Sequence, residues 1–255
     1  MLRYLVWMLP VVLFIACDNS DPINLNGVED SRAYYPLAIG KYIDYRVDSI
    51  VFDDASGGNR KDTISFQLRE QVAGFELTTL GDTMYYIHRF TRDADASSWT
   101  LKDVWAAWYE ENEVLRREEN LTFKKMTFPL YKGLRWQSTS YIPTQTAVTI
   151  GTEILEPYQY WESSVLSVDD AAHIGDYNFP SGQVMQIIQT DSDDQLMKRF
   201  VHETYARGIG LVNRIDTILD SRCIELGDFT PCVDKPWTEH ASKGYILSQV
   251  IIDHN

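Results

Sequence analysis

The sequence predicts an all-β fold: an antiparallel sheet that forms a partly open barrel or a sandwich, with at most a short helix. Three observations lead to this class. Apolar and polar residues alternate with period two along many segments, turn residues interrupt these segments at short intervals, and no long segment has helical spacing. The 255 residues are 44% hydrophobic, which allows a sizeable core and excludes wholesale disorder.

The first element along the chain is an export signal. Arg3 is followed by an apolar run from Leu5 to Ala16, which is shorter than the ~20 residues that span a bilayer. Phe14-Ile15-Ala16-Cys17 resembles a bacterial lipobox, with Phe14 where Leu is usual. In proteins with this motif the chain is cut before the cysteine, and the cysteine is then acylated. An ordinary signal peptide is the alternative.

These features predict a signal peptide over residues 1–16, a flexible tether over residues 17–30 and one β domain over residues 31–255. Lipidation of Cys17 predicts attachment to the cell envelope, at the outer membrane, on its periplasmic side or at the surface. The formal net charge of −14 argues against nucleic acid as a partner, because phosphate binding needs clustered Lys and Arg.

The β domain is predicted as a series of strands separated by turns. Alternation is clear in Ile43–Val51, where positions 43, 45, 47 and 51 are apolar, and in Ile64–Leu68, where every second residue is apolar. The further strand candidates are Met84–Arg92, Trp99–Tyr109, Glu113–Arg117, Leu121–Thr127, Thr146–Leu155, Tyr158–Val168, Gln183–Thr190, Met197–Tyr205, Leu211–Leu219 and Tyr245–Asp253. A short helix is predicted near Val168–Ile174.

One motif occurs twice, as Tyr35-Pro-Leu-x-x-Gly40 and as Phe128-Pro-Leu-x-x-Gly133. Proline fixes φ and glycine admits a positive φ, so each copy predicts a tight entry into a strand. With the later Tyr205-Ala-Arg-Gly-Ile-Gly-Leu-Val212, these motifs resemble a family of Bacteroidota lipoproteins of unknown function. Ile43 stands where the first Trp of that family is usual, and Ile209 replaces a Val. The resemblance implies a partly open barrel like the lipoprotein-carrier fold, with no catalytic residues and no cofactor.

Cys223 and Cys232 lie in a loop-like segment of the predicted domain. In the oxidising compartment that the leader indicates, they are predicted to form a local disulfide. Half of a metal site is the alternative, but zinc needs about four ligands and no Cys-x-x-Cys or paired His lies nearby. The sequence therefore predicts no metal.

Two further sets of residues are candidate sites. Trp99, Trp105 and Tyr109 share parity, so in a regular strand they form one face that lines a ligand site or fills the core. Four Asp-Ser/Thr-apolar tripeptides resemble the O-glycosylation pattern of exported Bacteroidota proteins, although a Thr after Asp also simply begins a strand. The candidate acceptors are Ser49, Thr63, Thr83 and Thr217.

No catalytic motif is recognised, so we expect no enzyme. His202-Glu203 begins like a zinc-protease motif, but Ala206 occupies the place of the second His. The leading hypothesis is a non-catalytic cell-envelope lipoprotein that acts as a binding or assembly module, with an envelope protein or an apolar ligand as partner. The alternatives are a carrier of an apolar ligand such as a lipid, and a glycan-acting hydrolase with two carboxylates about 5–10 Å apart in a cleft.

Overall fold

The computed structural model describes residues 25–53, 60–79, 81–94, 96–159 and 161–255, and it confirms the predicted all-β class. Twelve strands form one antiparallel sheet that curls into a nearly closed barrel. In chain order the elements are α1 (Leu25–Arg32), β1 (Tyr42–Asp53), β2 (Arg60–Leu77), β3 (Thr83–Arg92), β4 (Thr100–Glu110), β5 (Glu113–Glu118), β6 (Leu121–Thr127), β7 (Arg135–Gln137), β8 (Val148–Ile150), β9 (Glu153–Leu155), β10 (Glu162–Ile174), β11 (Tyr177–Asp193), β12 (Met197–Ala206), β13 (Gly210–Ser221), α2 (Arg222–Leu226), α3 (Trp237–His240) and β14 (Ala241–His254).

The strand order in the barrel is β6-β5-β4-β3-β2-β1-β14-β13-β12-β11-β10-β7. The two edge strands, β6 and β7, meet through two hydrogen bonds. The backbone N–H of Lys124 donates to the carbonyl of Ser138 at 2.9 Å, and the indole of Trp136 donates to the carbonyl of Lys124 at 3.0 Å. Strands β8 and β9 form a separate hairpin. The barrel thus closes without a continuous ladder between β6 and β7.

Strand pairing decides which side chains enter the barrel. Residues directly opposite each other in an antiparallel pair share a face of the sheet. Tyr45 is opposite Leu68, and both are buried with exposed fractions of 0% and 1%. Val47, opposite Phe66, continues the same inward face. The period-two pattern of these segments therefore marks the interior, as the sequence predicts.

One end of the barrel is capped by α1 and the segment that follows it. Tyr34 and Tyr35 pack into the main apolar core with Met126 and Tyr205. Arg207, in the turn after β12, holds this cap in place. It donates hydrogen bonds to Asp30, Asp169 and Gly182, and we call this set of contacts the Arg207 clamp. Its guanidinium donates to the Asp30 carboxylate at 2.8 and 3.0 Å, to Asp169 Oδ1 at 2.6 Å and to the carbonyl of Gly182 at 3.0 Å.

The amino-terminal boundary differs from the one the sequence predicts. Leu25–Asp30, assigned to the tether, lies in α1. Within this helix Val28 is buried in the core, and Ser31 donates to the carbonyl of Gly27 at 2.6 Å. These contacts explain why the segment is ordered despite its polar composition. The predicted signal peptide and Cys17 lie outside the described residues, and no helix within the described ranges is long and apolar enough to cross a bilayer.

The predicted helix near Val168–Ile174 is wrong, because this segment belongs to β10. The pairing of β10 with β11 shifts register at three places, and Asp169 has a φ of +62°. Each bulge interrupts the alternation of faces, so the apolar residues lose their period of two. By contrast, the repeated proline–glycine motif behaves as predicted, since Gly40 and Gly133 have φ values of +90° and +89°.

Candidate functional site

The interior of the barrel contains a cluster of two arginines on one tryptophan, here called the Arg–Trp cluster (Glu70, Arg89, Trp105 and Arg116). The guanidinium carbons of Arg89 and Arg116 lie 3.5 and 4.4 Å from the ring centre of Trp105. Both arginines also bind Glu70 Oε1, at 3.0 and 2.7 Å. The indole therefore contacts two cations that share one buried carboxylate.

A second group of interior charges, the Glu203 cluster, lies on the other wall and consists of Lys125, Gln189, Glu203, Arg214 and Asp216. The Glu203 carboxylate is fully buried and accepts from Lys125 Nζ at 2.6 Å and from Gln189 Nε2 at 2.7 Å. The Tyr205 hydroxyl donates to the same carboxylate at 2.7 Å. Arg214 lies 3.6 Å from Glu203 Oε1 and donates to both oxygens of Asp216 at 2.8 Å.

These contacts set the protonation states of the buried carboxyl groups. Burial alone would raise the pKa of Glu203, but the charges of Lys125 and Arg214 outweigh it and hold the pKa at about 2. Arg116 and Arg89 likewise overcome burial at Glu70 and lower its pKa to about 2. Burial dominates at Asp216, whose pKa is raised despite Arg214. Glu70 and Glu203 are thus anionic at neutral pH.

Beside the Glu203 cluster is a small polar cavity of about 90 Å³, which we call the inner chamber. A larger cavity of about 520 Å³, the outer cavity, lies towards the end of the barrel opposite α1. The two cavities share four lining residues, which are Glu118, Phe123, Tyr158 and Tyr245. They therefore adjoin along the barrel interior.

The segment that contains β8 and β9 lines the outer cavity. Residues 146–150 and Leu155 contribute to its wall, and the remaining lining comes from β4, the β5–β6 turn, β6, residues 157–158, β13 and β14. Leu155 is buried with Trp161 and Ile218 in a local apolar cluster. The hairpin is therefore packed onto the barrel and shapes one side of the cavity.

Of the three aromatic residues that the sequence groups on one face, Trp105 and Tyr109 both pack against the main core, but Trp99 lies elsewhere. Trp105 lines the outer cavity. Trp99 instead lies against the guanidinium groups of Arg69 and Arg92, at 4.8 and 4.3 Å. Tyr109 packs at the capped end, where it donates to the carbonyl of Tyr35. A register shift between β3 and β4 near Leu101 and Asp103 interrupts the regular alternation that the grouping assumes.

The other predicted sites lie on the barrel wall or beside it. The predicted disulfide is confirmed, since Cys223 in α2 is bonded to Cys232 and both are buried. Among the described residues no three His, Cys, Asp or Glu side chains gather into a possible metal site. The four candidate glycosylation residues lie in strands. Thr63 is exposed, whereas Ser49, Thr83 and Thr217 are half-buried. Their modification stays a prediction.

Sequence reasoning missed the interior charges, although part of the signal was present. Ile64, Phe66 and Leu68 have the parity of the interior face, and Glu70 continues it. A charged residue at an inward position marks either the end of a strand or a polar interior. For Lys125 and Glu203, which meet from β6 and β12, the sequence contains no comparable local signal.

Comparisons with known proteins give few similarities. No protein-family model matches this sequence, and no curated protein matches it significantly. Among solved structures, a candidate lipoprotein from Parabacteroides distasonis is 8% identical over 87% of this chain and 98% of its own, with a TM-score of 0.36. A candidate exported protein with a YmcC-like fold from Bacteroides fragilis is 11% identical over the same shares, with a TM-score of 0.33. These scores are too low to carry an argument about fold or function, which must come from the geometry of this chain.

Proposed function

We propose that this protein is a non-catalytic, lipid-anchored module of the cell envelope that binds a small molecule in the outer cavity. The cavity itself carries the proposal. Its volume of about 520 Å³ lies within the ~300–1,000 Å³ of typical ligand sites, and it combines aromatic walls with a few polar groups. It also adjoins a deeper polar chamber.

A binding role is favoured over hydrolysis by the state of the buried carboxylates. A general acid needs a raised pKa and access to the substrate. Glu203 lines the inner chamber, but its pKa of about 2 keeps it anionic, and three donors occupy its oxygens. Asp216 has a raised pKa but is 2% exposed and bound by Arg214 through two hydrogen bonds. Neither group combines the two requirements.

Transport of an acyl chain has less support from the cavities. At the capped end, an apolar cavity lined by residues such as Leu37, Ile43 and Leu211 has a volume of about 60 Å³. This is well below the ~300 Å³ at which ligand pockets begin. The interior beyond it is occupied by the paired charges of Glu70 and Arg116. A polar or amphipathic small molecule fits the outer cavity better.

The anchoring part of the proposal rests on the lipobox-like motif at Cys17, which is eight positions before the start of α1. Because α1 lies at the capped end, acylation of Cys17 would place that end towards the membrane and the outer cavity away from it. The outer membrane is the proposed location.

We expect Cys17→Ser to move the folded protein from the membrane fraction to the soluble fraction. Retention of the folded variant in the membrane would contradict lipid anchoring.

The binding part is tested by native mass spectrometry of protein purified from its own cells. We expect a small molecule to accompany the wild type and to be lost from Val148→Trp, which places an indole in the wall of the outer cavity. Ile39→Trp is the matched control, since Ile39 is 57% exposed at the capped end. Equal retention by both variants, or no bound molecule in the wild type, would count against this site.

A further inference from the structure

The charged residues that line the outer cavity are all of one sign. Glu118 and Glu119, at the β5–β6 turn, both contribute to the wall, and none of the other described lining residues carries a charge. Glu118 is 17% exposed and lies 3.3 Å from Arg116 Nε, whereas Glu119 is exposed. The cations Lys125 and Arg214 line the inner chamber but not the outer cavity.

Aromatic rings surround these carboxylates. Phe123, Tyr158 and Tyr245 line the same cavity, as does Trp105, whose ring already contacts Arg89 and Arg116. Phe123 and Tyr158 meet edge to face, with their ring centres 5.3 Å apart. The faces of aromatic rings carry partial negative charge and attract cations, most strongly where water is excluded. Carboxylates and ring faces together therefore favour a positively charged group.

The polar layer beneath the outer cavity limits how deep such a group can go. The Glu203 carboxylate, which lines the inner chamber, is already paired with Lys125 and lies close to Arg214, so it is not available to a cation that enters the chamber. A cation is therefore held at the level of Glu118 and the aromatic rings. An anion, in contrast, would have to pass the carboxylates of Glu118 and Glu119 before it reached Lys125 or Arg214.

From these contacts we propose that the outer cavity binds an organic cation, a primary or quaternary ammonium compound. This inference rests on the proposed binding function and specifies its ligand class. The formal net charge of −14 supports it, because an acidic surface raises the local concentration of cations.

The test uses the full folded domain with three probes of similar size: choline as the cation, glucose as a neutral compound and glutarate as an anion. The Trp105 indole resonance, assigned with Trp105→Phe, reports on the cavity during NMR titration. We expect choline to shift it in a saturable and salt-sensitive way, with little effect from glutarate.

Two charge-reversal variants provide a matched comparison. Glu119 and Glu111 are both exposed, and both adopt a positive φ at hairpin turns, of 54° and 48°. Glu119 lines the outer cavity, whereas Glu111 lies at the capped end. We expect Glu119→Arg to weaken choline binding by about tenfold or more and Glu111→Arg to change it less than about twofold.

The outcomes separate the two proposals. Saturable shifts from glucose or glutarate but not from choline, or equal effects of the two arginine variants, would overturn the cation inference and leave a small-molecule site in place. The absence of saturable shifts from all three probes would overturn both the inference and the proposed function of this cavity.

Discussion

Thr152, at the tip of the β8–β9 hairpin, donates twice to the carboxylate of Asp53 at the end of β1. Its backbone N–H lies 2.8 Å from Asp53 Oδ2, and its hydroxyl lies 2.6 Å from Asp53 Oδ1. This pair joins the tip of the hairpin to the barrel rim. Asp53 thus holds the tip of the hairpin, while Leu155 packs the hairpin onto the barrel.

Removal of this attachment is expected to loosen the hairpin without unfolding the barrel. In Asp53→Ala, amide hydrogen exchange should become faster across Val148–Leu155, because the tip loses both hydrogen bonds. Global stability should fall by no more than about 1–2 kcal/mol. Asp48→Ala is the control, since Asp48 also accepts from a hydroxyl, that of Ser65, at an exposed site on β1. Unchanged exchange in the hairpin would show that Asp53 does not hold it.

Loss of the Glu203 charge is expected to destabilise the whole barrel. Glu203→Gln leaves Lys125 and the nearby Arg214 in the interior without this carboxylate, and breaking a buried ion pair costs about 3–5 kcal/mol. Urea unfolding measures the change. Glu162→Gln, which removes an exposed partner of Arg135, should cost less than about 1 kcal/mol. Similar losses in the two variants would contradict the structural role of Glu203.

Stability is expected to decrease in acid because of Glu70 and Glu203. Their pKa values are lowered to about 2 in the folded state, against about 4.3 in an unfolded chain. The unfolded chain therefore takes up protons first as the pH falls, and the stabilisation is lost progressively between about pH 5 and pH 2. Asp216, whose pKa is raised, acts in the opposite direction.

Urea unfolding at several pH values checks this dependence. We expect the free energy of unfolding of the wild type to decrease below pH 5, and that of Glu70→Gln to decrease less steeply. An equal slope for the two proteins would mean that Glu70 does not titrate as its contacts with Arg89 and Arg116 require.

The disulfide is expected to stabilise the segment between β13 and β14. Cys223 and Cys232 close a short loop, with a sequence separation of 9 residues. Replacement of both by Ser should lower the free energy of unfolding by about 2–4 kcal/mol, since the unfolded chain regains the entropy of an open loop. Dithiothreitol should destabilise the wild type similarly and leave the double variant unchanged. Destabilisation of the double variant by the reductant would contradict this explanation.

Strand positions could be predicted from the sequence because each strand has an apolar inward face. The prediction for Leu121–Thr127 coincides with β6, and most other strands differ by a few residues at their ends. The prediction of a single strand over Thr146–Leu155 is wrong, because this segment turns back on itself as the β8–β9 hairpin. The method fails where a bulge changes the parity. For this reason the pattern of Val168–Ile174 indicates a helix where the chain forms a strand, and the register shift in β4 removes Trp99 from the face of Trp105.

The candidate site was less accessible to sequence reasoning than the fold. The outer cavity combines Trp105 of β4, Glu118 of β5 and Tyr245 of β14, which are far apart in the chain. Nothing local in the sequence indicates that these strands curve towards one another. The charge pairs of the interior also depend on this curvature, because a flat sheet would leave Lys125 and Glu203 apart.

The Arg207 clamp has a mechanical consequence for the way the domain is held. A pulling force on the chain before α1 reaches the barrel through this helix. Arg207 binds Asp30 in α1 and Asp169 in β10 at the same time. The load is therefore shared between the helix and two strand regions, instead of peeling β1 away from its neighbours one hydrogen bond at a time.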